Sequence, residues 1–257
     1  MNNRIYKIVI VESLTLLVIS GCSSIPTKNK TEEMVPTYIC YHVKSGEIKI
    51  DGILNENVWQ KVPVTCSFKT FDNKTAPYKF TTYARLLWDQ QYLYICFFCQ
   101  DNDIWATMKK RDAPLYEEEV IEVYIDADND KLTYTEIEIN PLGAIFDAII
   151  LNDGIQTIKN VTLNWTCLDM KLGIKIKGTI ENRKDKDKYW TVEIAIPFSS
   201  LPDIKSYPPE EGEVFGINMI RYERTKEKFW HLTWAPCYTE GWPHIPNKFG
   251  RVIFKRS

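Results

Sequence analysis

Apolar and polar positions alternate along most of this chain. In "EEEVIEVYID" (117–126) Ile121, Val123 and Ile125 are apolar, while Glu122, Tyr124 and Asp126 are polar or amphipathic. That period of two marks a strand with one face toward a core. "YTEIEIN" repeats it, setting Ile137 and Ile139 against Glu136, Glu138 and Asn140. "YWTVEIAIP" sets Trp190, Val192, Ile194 and Ile196 against Thr191 and Glu193. "KFTTYARLLWD" and "QYLYICFFCQ" read as two strands joined by a hairpin near Asp89–Gln90. Further strands are expected at 143–150, 171–180, 214–223, 229–235 and 249–254. Helical patterns are few and short, near 55–62 and 197–201, and turns such as "DADND" and "LNDG" separate the strands. This predicts an all-β chain, an antiparallel β-sandwich of jelly-roll type with one or two short helices.

The first residues break the pattern. Arg4 and Lys7 precede an apolar run from Ile8 to Ile19, interrupted by the charge of Glu12. The run is shorter than the roughly 20 residues a membrane-spanning helix needs, and a basic start before a short apolar core is the pattern of an export signal. It ends in "VISGC", which resembles the bacterial lipobox, whose cysteine carries lipid. The expected organisation is a signal peptide at 1–21, a tether at 22–37 and the sandwich at 38–257, with Cys22 lipidated. The tether reading rests on a polar stretch with two prolines and no periodicity. The expected location is the bacterial cell envelope, lipid-anchored at the outer membrane. Net charge is −2, with both signs interspersed, and no basic stripe points to nucleic acid.

Besides Cys22 there are six cysteines, which allow fifteen pairings and select none. Cys96 and Cys99 have C-x-x-C spacing, but residues three apart on a strand point to opposite faces. They read as small buried hydrophobes rather than as a bond or metal pair.

Several residue sets carry candidate chemistry. Glu122 with Glu136 or Glu138 could supply the two carboxyls of a glycoside hydrolase or lyase; the same residues are also ordinary on the polar face of a strand. There is no G-x-S-x-G or H-E-x-x-H, and the only histidines are His42, His231 and His244. A haem-binding sandwich would need an axial pair such as Met108 with a histidine or lysine, and no spacing compels one. Oxygen ligands for calcium are available at Asp101 and Asp103 in "QDNDIW", and at Asp126, Asp128 and Asp130, where the glycine of an EF-hand turn is missing. Of 33 aromatic rings (8 Trp, 14 Tyr, 11 Phe), Trp59, Trp88 and Trp190 sit in phase with apolar neighbours and read as core. Tyr116 and Trp242 lie beside prolines in polar loops, where a large ring suits the flat C–H face of a sugar.

Taken in order, "IKIDGILNENVW", "ARLLWDQQYLYICFFCQDNDI", "RDAPLYEEEVIEVYIDAD", "YWTVEIAIPFSSL", "GINMIRYER" and "HIPNKFGRVIF" resemble the family 9 carbohydrate-binding modules, from about Ile48 to Phe254. The resemblance implies a β-sandwich that binds oligo- or polysaccharide, often at chain ends, without cleaving it, and bound Ca2+ as a family feature. It implies a clamp of two rings, falling here on Tyr116 and Trp242, with Glu122 as an acidic ligand and Glu138 on the sugar's rim. Arg221 and Arg85 fall in matching motifs, and His244 beside Trp242 is placed to bond a hydroxyl. The expectation is a tethered binding protein serving polysaccharide capture or catabolism.

Overall fold

The alternating segments become strands, and with three more they make thirteen among the described residues, all in one hydrogen-bonded sheet. Residues 35–256, apart from 181, 227 and 240, are described by a computed structural model. The signal peptide, Cys22 and most of the tether expected from the sequence lie outside the described residues. The first half of the chain contributes β1 (Thr37–His42), β2 (Lys69–Thr70), β3 (Thr82–Trp88), β4 (Tyr92–Gln100), β5 (Val120–Asp126) and β6 (Thr133–Ile139). The second contributes β7 (Ile145–Asn152), β8 (Ile158–Thr162), β9 (Lys171–Lys177), β10 (Tyr189–Pro197), β11 (Val214–Arg224), β12 (Phe229–Thr233) and β13 (Gly250–Lys255). Strand order is β8-β7-β6-β5-β11-β13-β1-β3-β4-β10-β9. The long β11 forks the sheet: its start pairs with β13 and its end with β12, which in turn carries β2.

The sheet curls, so β5, β6, β11 and β13 face β3, β4 and β10 across the main core. The expected inward residues Ile121, Val123, Ile125, Ile137 and Ile139 lie there, with Trp88 and Trp190. The protein is an all-β sandwich. All described ladders are antiparallel except those of β1, which runs parallel to both β13 and β3. Neither β1 nor β8 stands out in the sequence pattern. Strand β8 is half-exposed throughout and pairs only with β7, so backbone pairing rather than burial recruits it. The helical segment near 55–62 shrinks to one turn, α1 (Asn57–Lys61), and 197–201 holds a 3-10 turn at Phe198–Ser200.

That turn has a purpose in packing. Trp59 is wholly buried on the outer face of β4 and β10, and its Nε1–H donates to Glu193 Oε1 at 2.9 Å. The other Glu193 oxygen accepts the backbone N–H groups of Asp51 (3.0 Å) and Gly52 (2.8 Å). One buried carboxylate therefore fastens "DGILNENVW" to β10. Gly52 adopts φ +81°, and a Cβ there would meet the Ile174 carbonyl carbon at 2.4 Å, so only glycine permits this approach.

The cysteines follow the sequence expectation in part. Cys40, Cys66, Cys96, Cys99, Cys167 and Cys237 are all free thiols, and all but Cys66 are buried. Cys96 and Cys99 pack into different clusters on opposite faces of β4.

Candidate functional site

The even-numbered face of β5 was expected to meet solvent. Instead every residue of β5 is buried, because a second apolar cluster covers this face. The segment between β12 and β13 lies over it, contributing Cys237, Ile245 and Phe249 to a layer with Tyr124, Tyr134, Ile220 and Tyr222. This layer holds the aromatic and acidic side chains together.

Three carboxyls form its floor. Glu122 and Glu138 are direct cross-strand partners, and Tyr124 faces Glu136 one pair further on. The Tyr124 hydroxyl lies 2.9 Å from Glu122 Oε2 and 3.2 Å from Glu136 Oε1. A phenol can donate only one proton, so at least one of those acids is protonated or shares poorly. Burial pushes Glu122 up to about 8, Glu136 to about 7 and Glu138 to about 10, with like-charge repulsion adding to Glu122 and Glu138. Near neutral pH the cluster therefore keeps protons, and it can donate as well as accept. Glu138 Oε2 is buried with no partner among the described residues.

Two rings stand at the rim. Tyr116 is 49% exposed and Trp242 44%. Tyr116 belongs to a 3-10 turn, Leu115–Glu117, whose Leu115 is buried in the layer below. The Tyr116 carbonyl accepts from Arg224 Nη2 at 2.5 Å. Trp242 Nε1–H donates to the Gln156 carbonyl at 2.9 Å, and its ring sits 4.8 Å from that of His244. Thr239 Oγ1 both donates to the Trp242 carbonyl and accepts its N–H. Trp242 is thus held by its indole nitrogen and Tyr116 through its backbone, and both rings remain about half-exposed.

Of the residues expected at the site, Tyr116, Glu122, Glu138, Trp242 and His244 come together in this region. His244 is placed beneath rather than at the rim. It is buried, stacks on Tyr124 at 5.1 Å and shares a hydrogen bond with Tyr134 Oη through Nδ1 at 2.9 Å. Burial pushes it down to about 4, so it is neutral. Arg221 must be corrected: it projects from the opposite face of β11 into the main core, wholly buried, bonding Thr82 Oγ1 and the Gln100 carbonyl. Arg224, three residues on and hence on the other face, takes the position beside Tyr116. Parity along the strand distinguishes the two arginines, but both faces of β11 mix apolar and polar residues and both are buried, so the pattern could not say which face was which. Tyr124, Glu136, Tyr222 and His231 also belong to the site, and the even spacing from Glu122 signals the first of them.

The expected metal pair is divided as well. Asp103 forms an ion pair with Arg183, Nη2 to Oδ2 at 2.7 Å. Asp101 instead joins Glu119 and Glu223, one oxygen of each lying within 4.8 Å of the others, all buried. Asp126, Asp128 and Asp130 make a second, more exposed cluster. In it Asp126 accepts the N–H groups of Asp130 and Lys131.

A family profile, "Carbohydrate family 9 binding domain-like", matches residues 50–257, and the chain belongs to that family. Its fold is shared by a candidate carbohydrate-binding protein from Bacteroides uniformis, with a TM-score of 0.70 at 15% identity over 86% of this chain and 100% of that one. A family 9 module from Caldicellulosiruptor kristjanssonii, in complex with cellotriose, aligns with a TM-score of 0.56 at 16% identity over 85% and 94%. The same module in complex with glucose gives a TM-score of 0.56 at 15% identity over 86% and 96%. A 92-residue stretch is 31% identical to Exoglucanase XynX from Acetivibrio thermocellus, covering 35% of this chain and spanning 8% of that protein.

Proposed function

We propose that this chain is a binding protein for oligo- or polysaccharide, holding a sugar unit between Tyr116 and Trp242 above the Glu122–Glu136–Glu138 cluster. One observation carries the reading: two half-exposed rings, Trp242 held by its indole N–H and Tyr116 by its backbone, stand over the layer that buries Glu138, whose Oε2 has no partner among the described residues. A ring stacks on the apolar face of a pyranose, and protonated or ionised carboxyls pair with its hydroxyls. The family and the sugar-bound structures that share its fold support this reading. Its mechanism is adsorption. Glycoside hydrolysis places the scissile bond between two carboxyls, whereas here the Tyr124 hydroxyl lies between Glu122 and Glu136.

Calorimetric titration against glucose, cello-, xylo-, manno- and malto-oligosaccharides tests it. Wild type is expected to release heat with one class, and Trp242→Ala to weaken that binding about tenfold, the upper range of one aromatic contact. Undiminished binding by Trp242→Ala would remove the clamp from the account.

The lipid-anchored, envelope-located and polysaccharide-catabolic setting belongs to the same proposal and rests on the sequence before residue 35. Metabolic labelling with a fatty acid, lost on Cys22→Ala, would check the anchor.

The buried acids also fit a calcium ion in donor type. Glu119 Oε1 and Glu223 Oε1 are buried without partners among the described residues. Arg221 supplies one positive charge against three carboxyls. An all-oxygen, net-negative set of this kind suits a hard divalent cation. Asp101, Glu119 and Glu223 would hold it, and it would supply charge neutralisation and rigidity. Saturating Ca2+ at about 100 times its dissociation constant is expected to add about 2.7 kcal/mol of stability over chelator-treated protein. Glu119→Gln should abolish the difference; identical melting with and without chelator would mean that protons neutralise these acids.

A further inference from the structure

The outer face does not end at the two rim rings. Strand β12 adds a third, Phe229, which pairs directly across from Arg224. It is 63% exposed, although it lies in a strand beside a buried arginine. The Arg224 guanidinium carbon sits 4.6 Å from the Phe229 ring centre and 4.7 Å from that of Tyr222. A cation held between two rings in this way is a cohesive stack. The same guanidinium donates from Nη2 to the Tyr116 carbonyl and shares a hydrogen bond with His231 Nε2 at 3.1 Å. Phe229 is therefore coupled to the Tyr116 rim through one buried, four-way-anchored side chain. Its strand starts directly after a turn in which the Thr225 hydroxyl and backbone bond Lys228. The ring is fixed in position and remains wet.

Given the sugar-binding reading above, we propose that Phe229 is a second stacking subsite. It takes a further unit of the chain whose first unit is held by Tyr116 and Trp242, so the preferred ligand is an oligosaccharide rather than a free monosaccharide. Phenylalanine has no polar side-chain atom, so this subsite rewards chain length and a flat sugar face without reading hydroxyl orientation. Selection among sugars stays with the acids of the first subsite.

The test is calorimetric titration with one sugar series at one, two, four and six units, using the full chain and its Phe229→Leu, Phe229→Tyr and Trp242→Ala variants. Wild-type affinity is expected to rise with length. Phe229→Leu should leave the monosaccharide affinity unchanged and lower that for the longer sugars about three- to tenfold, the size of one ring contact. Phe229→Tyr keeps the ring and should match wild type. Trp242→Ala should weaken every length alike, which reports on the first subsite separately. The extension is overturned if wild type binds one unit as tightly as six. It is also overturned if Phe229→Leu weakens all lengths equally or none. Silence of the wild type across the panel would overturn the sugar-binding reading, and this subsite with it.

Discussion

Replacing Arg221 with methionine is expected to cost the fold about 3–5 kcal/mol, the cost of removing one partner from a buried ion pair. The side chain is wholly buried. Nη2 contacts Asp101 Oδ2 at 2.7 Å and also the Glu223 carboxyl. Nη1 donates to the Gln100 carbonyl at 2.8 Å and to Thr82 Oγ1 at 3.2 Å. One guanidinium thus ties β11 to β3 and to the end of β4, across the interior. Methionine matches its stem in volume and leaves both acids facing each other with no cation between them. Lysine keeps the charge but cannot reproduce the planar fork, so Arg221→Lys should fall between the two. Urea unfolding with chelator present would measure all three proteins. A loss below about 1 kcal/mol for Arg221→Met would show that the acids were already neutralised by protons and that the arginine is incidental.

The second large effect is a loss of stability on the alkaline side. Glu122, Glu136 and Glu138 all have folded-state values raised above the usual carboxylate range, to about 8, 7 and 10. In the unfolded chain these acids give up their protons near pH 4.5, while the folded cluster retains them. A group raised in this way stabilises most fully below its unfolded value, and that contribution is lost as pH rises through the folded one. His231 and His244 act in the opposite sense. Burial lowers both to about 4, so they disfavour the fold as pH falls below about 6.5 and are silent above it. Between pH 6.5 and 8.5 one retained proton corresponds to about 3 kcal/mol. Three retained protons outweigh two histidines, so stability should be highest near pH 5 and decline above it, by at least about 3 kcal/mol between pH 6.5 and 8.5. Glu138→Gln should flatten the alkaline limb, because an amide cannot ionise. A wild-type profile that is level between pH 6.5 and 8.5 would mean that the cluster is solvated and that its acids titrate normally.

The clamp and the acid cluster differ in how far they could be read from the chain. Tyr116 and Trp242 are large rings beside prolines in polar sequence, a local conflict visible without any fold. Glu122 and Glu138 could be assigned to one strand face each, but their pairing depends on the β5–β6 register. Asp103 was as good a metal candidate as Asp101 by spacing. The difference lies in distant partners: Arg183 for one, Glu119 and Glu223 for the other.

What the sequence by itself determined is the local grammar. Period-two alternation assigned Ile121, Val123 and Ile125 to one side of a strand, and the Asp89–Gln90 hairpin and the burial of Trp59, Trp88 and Trp190 followed from the same rule. These properties depend on neighbours one to four residues away, which the pattern records directly. Only the tertiary structure decided that the even face of β5 is covered, since the segment that covers it comes more than 100 residues later. It also decided which of Arg221 and Arg224 faces the site. Strand β11 is buried on both sides, so hydrophobicity carries no sign there, and the choice falls to the curl of the sheet and the charges it brings within reach.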